Sequence, residues 1–149
     1  MSPFELGTDG PTSILVGIDG STTSVRAGWY AAGLARRQRA NLTVVHVVRP
    51  STMGLGINGS AAAAVVLRTQ AQIADGVSRG ADELSGEWGV SMTFITSRGD
   101  PFTELCRVAE EIRADAVVVG ASAHAAHRLI GSLAVRLVKA GRWPVTVVP

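Results

Sequence analysis

The sequence predicts an α/β fold in which helices cover both faces of a parallel sheet. Short, continuously apolar runs indicate strands that are buried on both faces, as in parallel sheets. Between them lie stretches with helical apolar spacing, long enough for crossovers, so the order is β-α-β-α-β-α-β-α-β. Ligands of such sheets bind beyond the carboxyl ends of the strands, where the strand order changes direction. We therefore expect functional residues directly after strands one, two and four.

The first two strands follow a segment without periodicity. Residues 1–12 are rich in glycine and proline and predict a flexible tail, so the domain is expected to span residues 13–149. The run 14–18 predicts strand one, Ser21 is a suitable N-cap for the helix after it, and 42–48 predicts strand two. The expected buried stripe of the first helix is Val25, Gly28, Trp29, Ala32 and Ala35.

A long loop separates strand two from the second helix. Residues 49–60 are more than an α/β unit normally needs, which indicates a functional or mobile loop. The second helix is expected to begin within 61–64, and 90–96 predicts an edge strand because its apolar residues partly alternate. The expected buried face of this helix is Ile73, Val77, Ala81 and Leu84.

The start of the third helix is well marked. Asp100 is the expected N-cap and Pro101 the first helical residue. The buried face after it is predicted to be Leu105, Val108, Ala109 and Ile112. The remaining predicted elements are strand four at 116–120, a last helix that Ser132 caps and Gly141 ends, and strand five at 144–148.

Composition and charge narrow the class of protein. The chain of 149 residues is 46% apolar, which predicts one globular domain. A single cysteine, no signal-peptide pattern and no run of about 18 apolar residues predict a cytoplasmic protein without a membrane span. The net charge is only +2, and the cluster 36–39 falls at a predicted helix C-terminus, where cations favour the dipole. We therefore expect no nucleic-acid partner.

Several motifs are too weak to predict chemistry. Residues 54–59 match G-x-G-x-x-G, but they do not join a strand directly to a helix, as a dinucleotide site requires. No P-loop occurs, and His124 and His127 alone do not make a metal site. We interpret His46 as a hydrogen-bonded residue of a core strand and Cys106 as a small buried hydrophobe.

Two regions at the expected ligand edge carry more information. Asp19 directly follows strand one, where its carboxylate either accepts hydrogen bonds from a ligand or only stabilises the start of the helix. Gly120 ends strand four, where a glycine would let a ligand approach the backbone. Gly131 and Ser132 open the last helix, whose N–H groups would bind an anion or simply form an ordinary helix start.

These segments together resemble the universal stress protein family. The resemblance rests on their order along the chain and covers residues 13–149. The segments are 14–21 with Ser24 and Ala27, 42–48, 99–101, 114–120, 131–132 and 143–148. It implies a Rossmann-like fold of the adenine nucleotide alpha hydrolase type, with the strands in order 3-2-1-4-5, and a homodimer joined through the last strand, Val145, Thr146, Val147 and Val148.

The resemblance also implies a site for ATP or AMP, with magnesium only if ATP is bound. Asp19 and Val47 would position adenosine, whereas the loop after strand four and the start of the last helix would hold the phosphates. The implied binding residues are Gly17, Ile18, Asp19, Val47, Val119, Gly120, Ala123, Gly131, Ser132 and Leu133.

The sequence departs from the family's phosphate motif, G-x2-G-x9-G-[ST], at two points. Ala123 stands where the motif has its second glycine, and only the seven residues 124–130 precede Gly131, where the motif has nine. A Cβ at Ala123 penalises positive φ, and a shorter loop closes less easily around a triphosphate. His124, His127 and Arg128 are candidate substitute donors. We expect ATP to bind no more than about tenfold more tightly than AMP.

Three classes of function stay open on the sequence. The first is a regulatory domain that binds an adenine nucleotide. The second is a stress-response homodimer that acts through protein contacts without appreciable nucleotide binding, because the phosphate loop is altered. The third, a nucleotide hydrolase, has no identifiable base, nucleophile or metal ligands behind it. The uncharged β-forming run 145–148 independently predicts a homodimer, because unpaired apolar edges are normally covered.

Overall fold

The computed structural model describes residues 10–49, 61–121 and 131–149. Within these ranges nine elements alternate between strand and helix, as the sequence predicts. They are β1 (Ser13–Ile18), α1 (Thr22–Gln38), β2 (Asn41–Val48), α2 (Ala61–Trp88), β3 (Met92–Arg98), α3 (Pro101–Glu111), β4 (Ala116–Gly120), α4 (Ser132–Ala140) and β5 (Val145–Val148).

The five strands form one parallel sheet in the order β3-β2-β1-β4-β5. This confirms the predicted fold class and places β3 at an edge. The prediction of β3 is shifted, because the strand begins at Met92 rather than at Val90. The order also places β1 at the centre, between β2 and β4, so the ends of these three strands meet at one edge.

Two apolar clusters lie on the two faces of the sheet. On one face α1 and α2 cover side chains such as Ile14, Val16 and Val44. On the other face α3 and α4 cover side chains such as Leu15 and Val45. Burial on both faces explains why the central strands are continuously apolar. Among the described residues, no helix is long and apolar enough to cross a membrane.

The predicted stripe of α1 is wrong at its two largest side chains. Val25 is 44% exposed and Trp29 is 54% exposed. The helix instead packs its small residues on the sheet: Ser24, Ala27, Ala31, Ala32 and Ala35. Small side chains let the helix approach β1 and β4 closely, and this turns the larger residues away from the sheet.

The other helix predictions have mixed outcomes. Asp100 caps α3 by accepting a 3.0 Å hydrogen bond from the Thr103 amide, as predicted. Ile112 is half-buried rather than part of the fully buried face, and Cys106 takes a buried position instead. Ala81 is buried on α2 as expected, while the side chain of Leu84 lies outside those that the structure describes.

Candidate functional site

A cavity of about 360 Å³ opens at the carboxyl ends of β1, β2 and β4. Its volume falls within the range of small-molecule sites. The structure brings nine of the ten predicted binding residues to its walls: Gly17, Ile18, Asp19, Val47, Val119, Gly120, Gly131, Ser132 and Leu133. The tenth, Ala123, lies outside the described residues, as do His124, His127, Arg128 and the glycine-rich motif at 54–59.

Asp19 lies in the turn between β1 and α1. Its Oδ1 accepts a 2.8 Å hydrogen bond from the Ser21 amide, and its own amide donates to the Ser24 hydroxyl. The Ser21 side chain in turn accepts from the Ser24 amide and caps the helix. The carboxylate therefore does stabilise the turn, but Asp19 also lines the cavity, and a carboxylate can accept more than one hydrogen bond.

Hydrogen bonding to the carboxyl group within this turn keeps Asp19 ionised. Burial alone would raise the pKa of its carboxyl group, but the hydrogen bonds from Ser21 and Ser24 outweigh burial and hold the pKa below its usual value. Hydrogen bonds to the charged form always act in this direction. At neutral pH the cavity therefore presents an acceptor, which suits the hydroxyl groups of a ribose.

Three helix N-termini lie beside the cavity, and they differ in how their N–H groups are satisfied. Ser21 caps α1 and Asp100 caps α3 through their side chains. The N-cap of α4 is Gly131, which has no side chain, and no side chain in the part of the chain that the structure describes caps this helix. The prediction that Ser132 is the cap is therefore wrong, because Ser132 is the first residue inside the helix. Gly131 and the first three residues of α4 border the cavity, so this helix start lies at the cavity wall.

Gly120 has a role that the sequence interpretation missed. A Cβ at this position would lie 2.5 Å from the carbonyl carbon of Thr23 and 2.6 Å from the amide nitrogen of Ser24. The Thr23 hydroxyl also donates to the Ala121 carbonyl oxygen. Gly120 is thus required for the close approach of α1 to the end of β4, in addition to lining the cavity.

The remaining wall contains residues that the prediction did not include. They are Ser21, Ser24, Val45, Arg49, Pro101, Leu105, Ala121 and Ala134. Arg49 follows the end of β2, so the rule that ligands bind just after the strands could have found it. Pro101 and Leu105 belong to α3, and their place in the wall follows from the position of that helix rather than from any local pattern.

His46 is a buried residue of the sheet rather than part of the cavity wall. It is 1% exposed, and its Nδ1 lies 3.0 Å from the Ile18 carbonyl oxygen. This agrees with its interpretation as a hydrogen-bonded core histidine. In the described ranges, no three histidine, cysteine or acidic residues are grouped as metal ligands would be.

The model of the universal stress protein family matches residues 11–149. The chain belongs to the universal stress protein family. It is 30% identical over 139 residues to the universal stress protein MJ0531 of Methanocaldococcus jannaschii, covering 91% of this chain and 80% of that protein.

Solved structures of the family have the same fold. Universal stress protein UspA from Lactobacillus plantarum matches with a TM-score of 0.75 at 25% identity, over 93% of this chain and 97% of its own. A family member from Burkholderia pseudomallei matches with a TM-score of 0.68 at 27% identity, over 93% and 96% of the two chains. The resemblance stated from the sequence is thus confirmed.

Proposed function

We propose that this universal stress protein is a regulatory domain that binds an adenine nucleotide, AMP or ATP. The observation that carries the proposal is that the N-terminus of α4, which no side chain of the described residues caps, and the ionised Asp19 border the same cavity. The helix N-terminus suits an anion, and the Asp19 carboxylate suits hydroxyl donors. A nucleotide carries both kinds of group, its phosphate and its ribose hydroxyls, in one molecule.

The proposed orientation follows from the order of the strands. The phosphate lies at Gly131 and Ser132, on the β4 side of β1, where the helix amides point to an anion. Adenosine lies towards Asp19 and Val47, on the β2 side. Magnesium enters only as the counter-ion of a triphosphate.

Relatives with the same fold support the class of ligand. A universal stress protein solved in complex with cAMP matches this chain with a TM-score of 0.63 at 23% identity. The Archaeoglobus fulgidus universal stress protein solved in complex with dAMP matches with a TM-score of 0.60 at 18% identity. At these identities the comparison concerns the fold, so the ligand of this chain is proposed from its own cavity.

Calorimetric titration of the full chain with AMP and with ATP tests the proposal. We expect both to bind, with ATP favoured by no more than about tenfold, because the shortened loop 124–130 and Ala123 limit contacts to the outer phosphates. Ser132→Ala should weaken the binding of AMP by about 1 kcal/mol, because a hydrogen bond to the phosphate is lost. Asp19→Asn, which keeps an acceptor for the Ser21 amide, should weaken the binding of AMP by about 1–3 kcal/mol.

Two results would contradict this account. No binding of either nucleotide would reject the nucleotide site, and ATP binding about a hundredfold more tightly than AMP would show that the shortened loop is fully competent. His124→Ala and His127→Ala test whether the loop contributes to nucleotide affinity. Each should reduce the affinity only if its imidazole replaces the contacts of the missing glycine.

We also propose that the chain forms a homodimer through β5, and that contacts between proteins are its second candidate function. The supporting observation is that Val145–Val148 pairs with β4 along one side, while no described strand lies on its other side. All four residues are only half-buried. An uncharged edge of this kind favours pairing with a second copy.

A further inference from the structure

We propose that Arg49 recognises the base of the bound nucleotide by stacking its guanidinium group on the purine ring. The inference deepens the function proposed above and rests on it. It assigns a role to a residue that the family-based set of binding residues does not include, and it names the part of the ligand that the residue contacts.

The position of Arg49 puts it at the nucleoside end of the cavity. It directly follows β2, two residues beyond Val47, and it lines the cavity. The β2 strand lies on one side of β1, whereas β4, which leads to α4, lies on the other. Arg49 and the phosphate-binding end of α4 therefore lie on opposite sides of the central strand.

Charge makes this arginine distinctive. Among the described residues of the cavity wall, Arg49 is the one cation and Asp19 the one anion, and no ion pair joins them. The ion pairs in the described ranges are made by Arg107, Arg136 and Arg142 with acidic partners on α3 or at its N-cap. Arg49 thus lines this end of the cavity, and no carboxylate among the described residues pairs with its guanidinium group.

The surroundings of Arg49 favour a flat, aromatic group. Val47, which is only partly buried, supplies apolar surface on the neighbouring wall, which suits one face of a ring. A guanidinium group is planar and weakly hydrated, so it stacks on the other face and is attracted by the π electrons. When the phosphate of a nucleotide occupies the start of α4, the base is the part of the ligand that reaches this end.

Titration with ligands that lack or carry phosphate tests the assignment. Adenosine and AMP are titrated by ligand-observed NMR, which detects weak binding, against wild type, Arg49→Ala and Arg49→Lys. We expect Arg49→Ala to lower the affinity for both ligands by the same factor, about fivefold to thirtyfold. Arg49→Lys should not restore adenosine binding fully, because an ammonium group has no plane to stack.

Arg98→Ala is the matched control. Arg98 ends β3, the strand beside β2, and pairs in register with Val48, but it lies outside the cavity wall. It is exposed, as Arg49 is. Its loss changes the net charge equally and should leave both affinities unchanged.

Other outcomes would overturn the inference. If Arg49→Ala weakens AMP but not adenosine, the arginine contacts phosphate; if it weakens neither, the arginine is not in contact with the ligand. Ser132→Ala tests the proposed function separately, since it should weaken AMP and leave adenosine unchanged. Failure of wild type to bind either ligand would reject the nucleotide site itself, and the inference with it.

Discussion

Single residues at the ends of β1 and β4 have a structural role and also line the cavity. Asp19 accepts a hydrogen bond from the Ser21 amide and also borders the cavity. Gly120 lines the same cavity and allows α1 to approach β4. The two interpretations of Asp19 that the sequence leaves open, a turn residue and a ligand contact, are therefore compatible with each other. A residue type can be predicted at such a position, but the number of its roles depends on the packing of distant elements.

Gly120→Ala tests the packing role. The added Cβ would meet the backbone of Thr23 and Ser24, which cannot move without displacing α1. We expect the free energy of unfolding to fall by about 1–3 kcal/mol. Gly80→Ala is the control: Gly80 lies within α2, and a Cβ there meets nothing within 4 Å, so alanine should raise stability by about 0.5–1 kcal/mol. Chemical denaturation of both variants decides it, and equal effects in the two would refute the argument.

At the scale of elements, periodicity and capping residues predict the strands and helices well but their packed faces less well. The prediction of β4 is correct in both bounds, and Asp100 caps α3 as expected. The predicted buried stripe of α1 is wrong because the size of the apolar side chains does not decide which face of the helix packs on the sheet. The alanines allow a closer approach to the sheet than Val25 and Trp29 would. The ring of Trp29 instead packs near that of Trp88 of α2, with 5.9 Å between the ring centroids, a contact that no local pattern predicts.

One contact ties the chain before β1 to the loop before β4. The Asp115 carboxylate accepts hydrogen bonds from the Thr12 amide and hydroxyl and from the Ser13 amide, at 2.9, 2.9 and 3.0 Å. Burial raises the pKa of Asp115, but these three bonds outweigh burial and lower the pKa below its usual value. The carboxylate therefore holds the start of the first strand beside the turn that leads into the fourth.

A lowered pKa of Asp115 in the folded state makes its contribution to stability depend on pH. The contribution is fully present above the unfolded pKa of about 3.9 and is lost as the pH falls through the lower folded value. Asp115→Asn should therefore cost about 1 kcal/mol at pH 7, and the difference from wild type should shrink below about pH 4.

Urea denaturation at pH 7 and pH 3 measures both effects. Asp82→Asn is the control, because Asp82 is exposed on α2 and forms no hydrogen bond or ion pair with the described residues. A cost for Asp115→Asn that stays constant between the two pH values would contradict the assignment to the charged carboxylate.

At the scale of the whole molecule, the fold class follows from the sequence because alternating buried strands and helices allow few arrangements. The strand order 3-2-1-4-5, by contrast, follows from resemblance to the family and not from periodicity. The cavity could be expected at the ends of strands one, two and four, yet its α3 wall, Pro101 and Leu105, depends on how the helices pack. The packing of α3 against the sheet is not encoded in any local sequence pattern.

The backbone geometry of β5 makes the proposed dimer testable at one position. The carbonyl groups of Pro144 and Val148 accept hydrogen bonds from β4, at Val117 and Ala121. Because backbone groups alternate in direction along a strand, the N–H and C=O of Val147 point to the outer edge. An antiparallel pair of such edges around a two-fold axis would use these groups in both copies.

Val147→Pro should therefore separate the copies while leaving the bonds to β4 in place, since proline removes only the outward N–H. Val147→Ala is the control: it shortens the same side chain but keeps the N–H, so it should stay dimeric. Sedimentation equilibrium at micromolar concentration compares the two with wild type, and circular dichroism checks that each is folded. A monomeric wild type, or a folded Val147→Pro variant that is still a dimer, would show that β5 does not join the copies by backbone pairing.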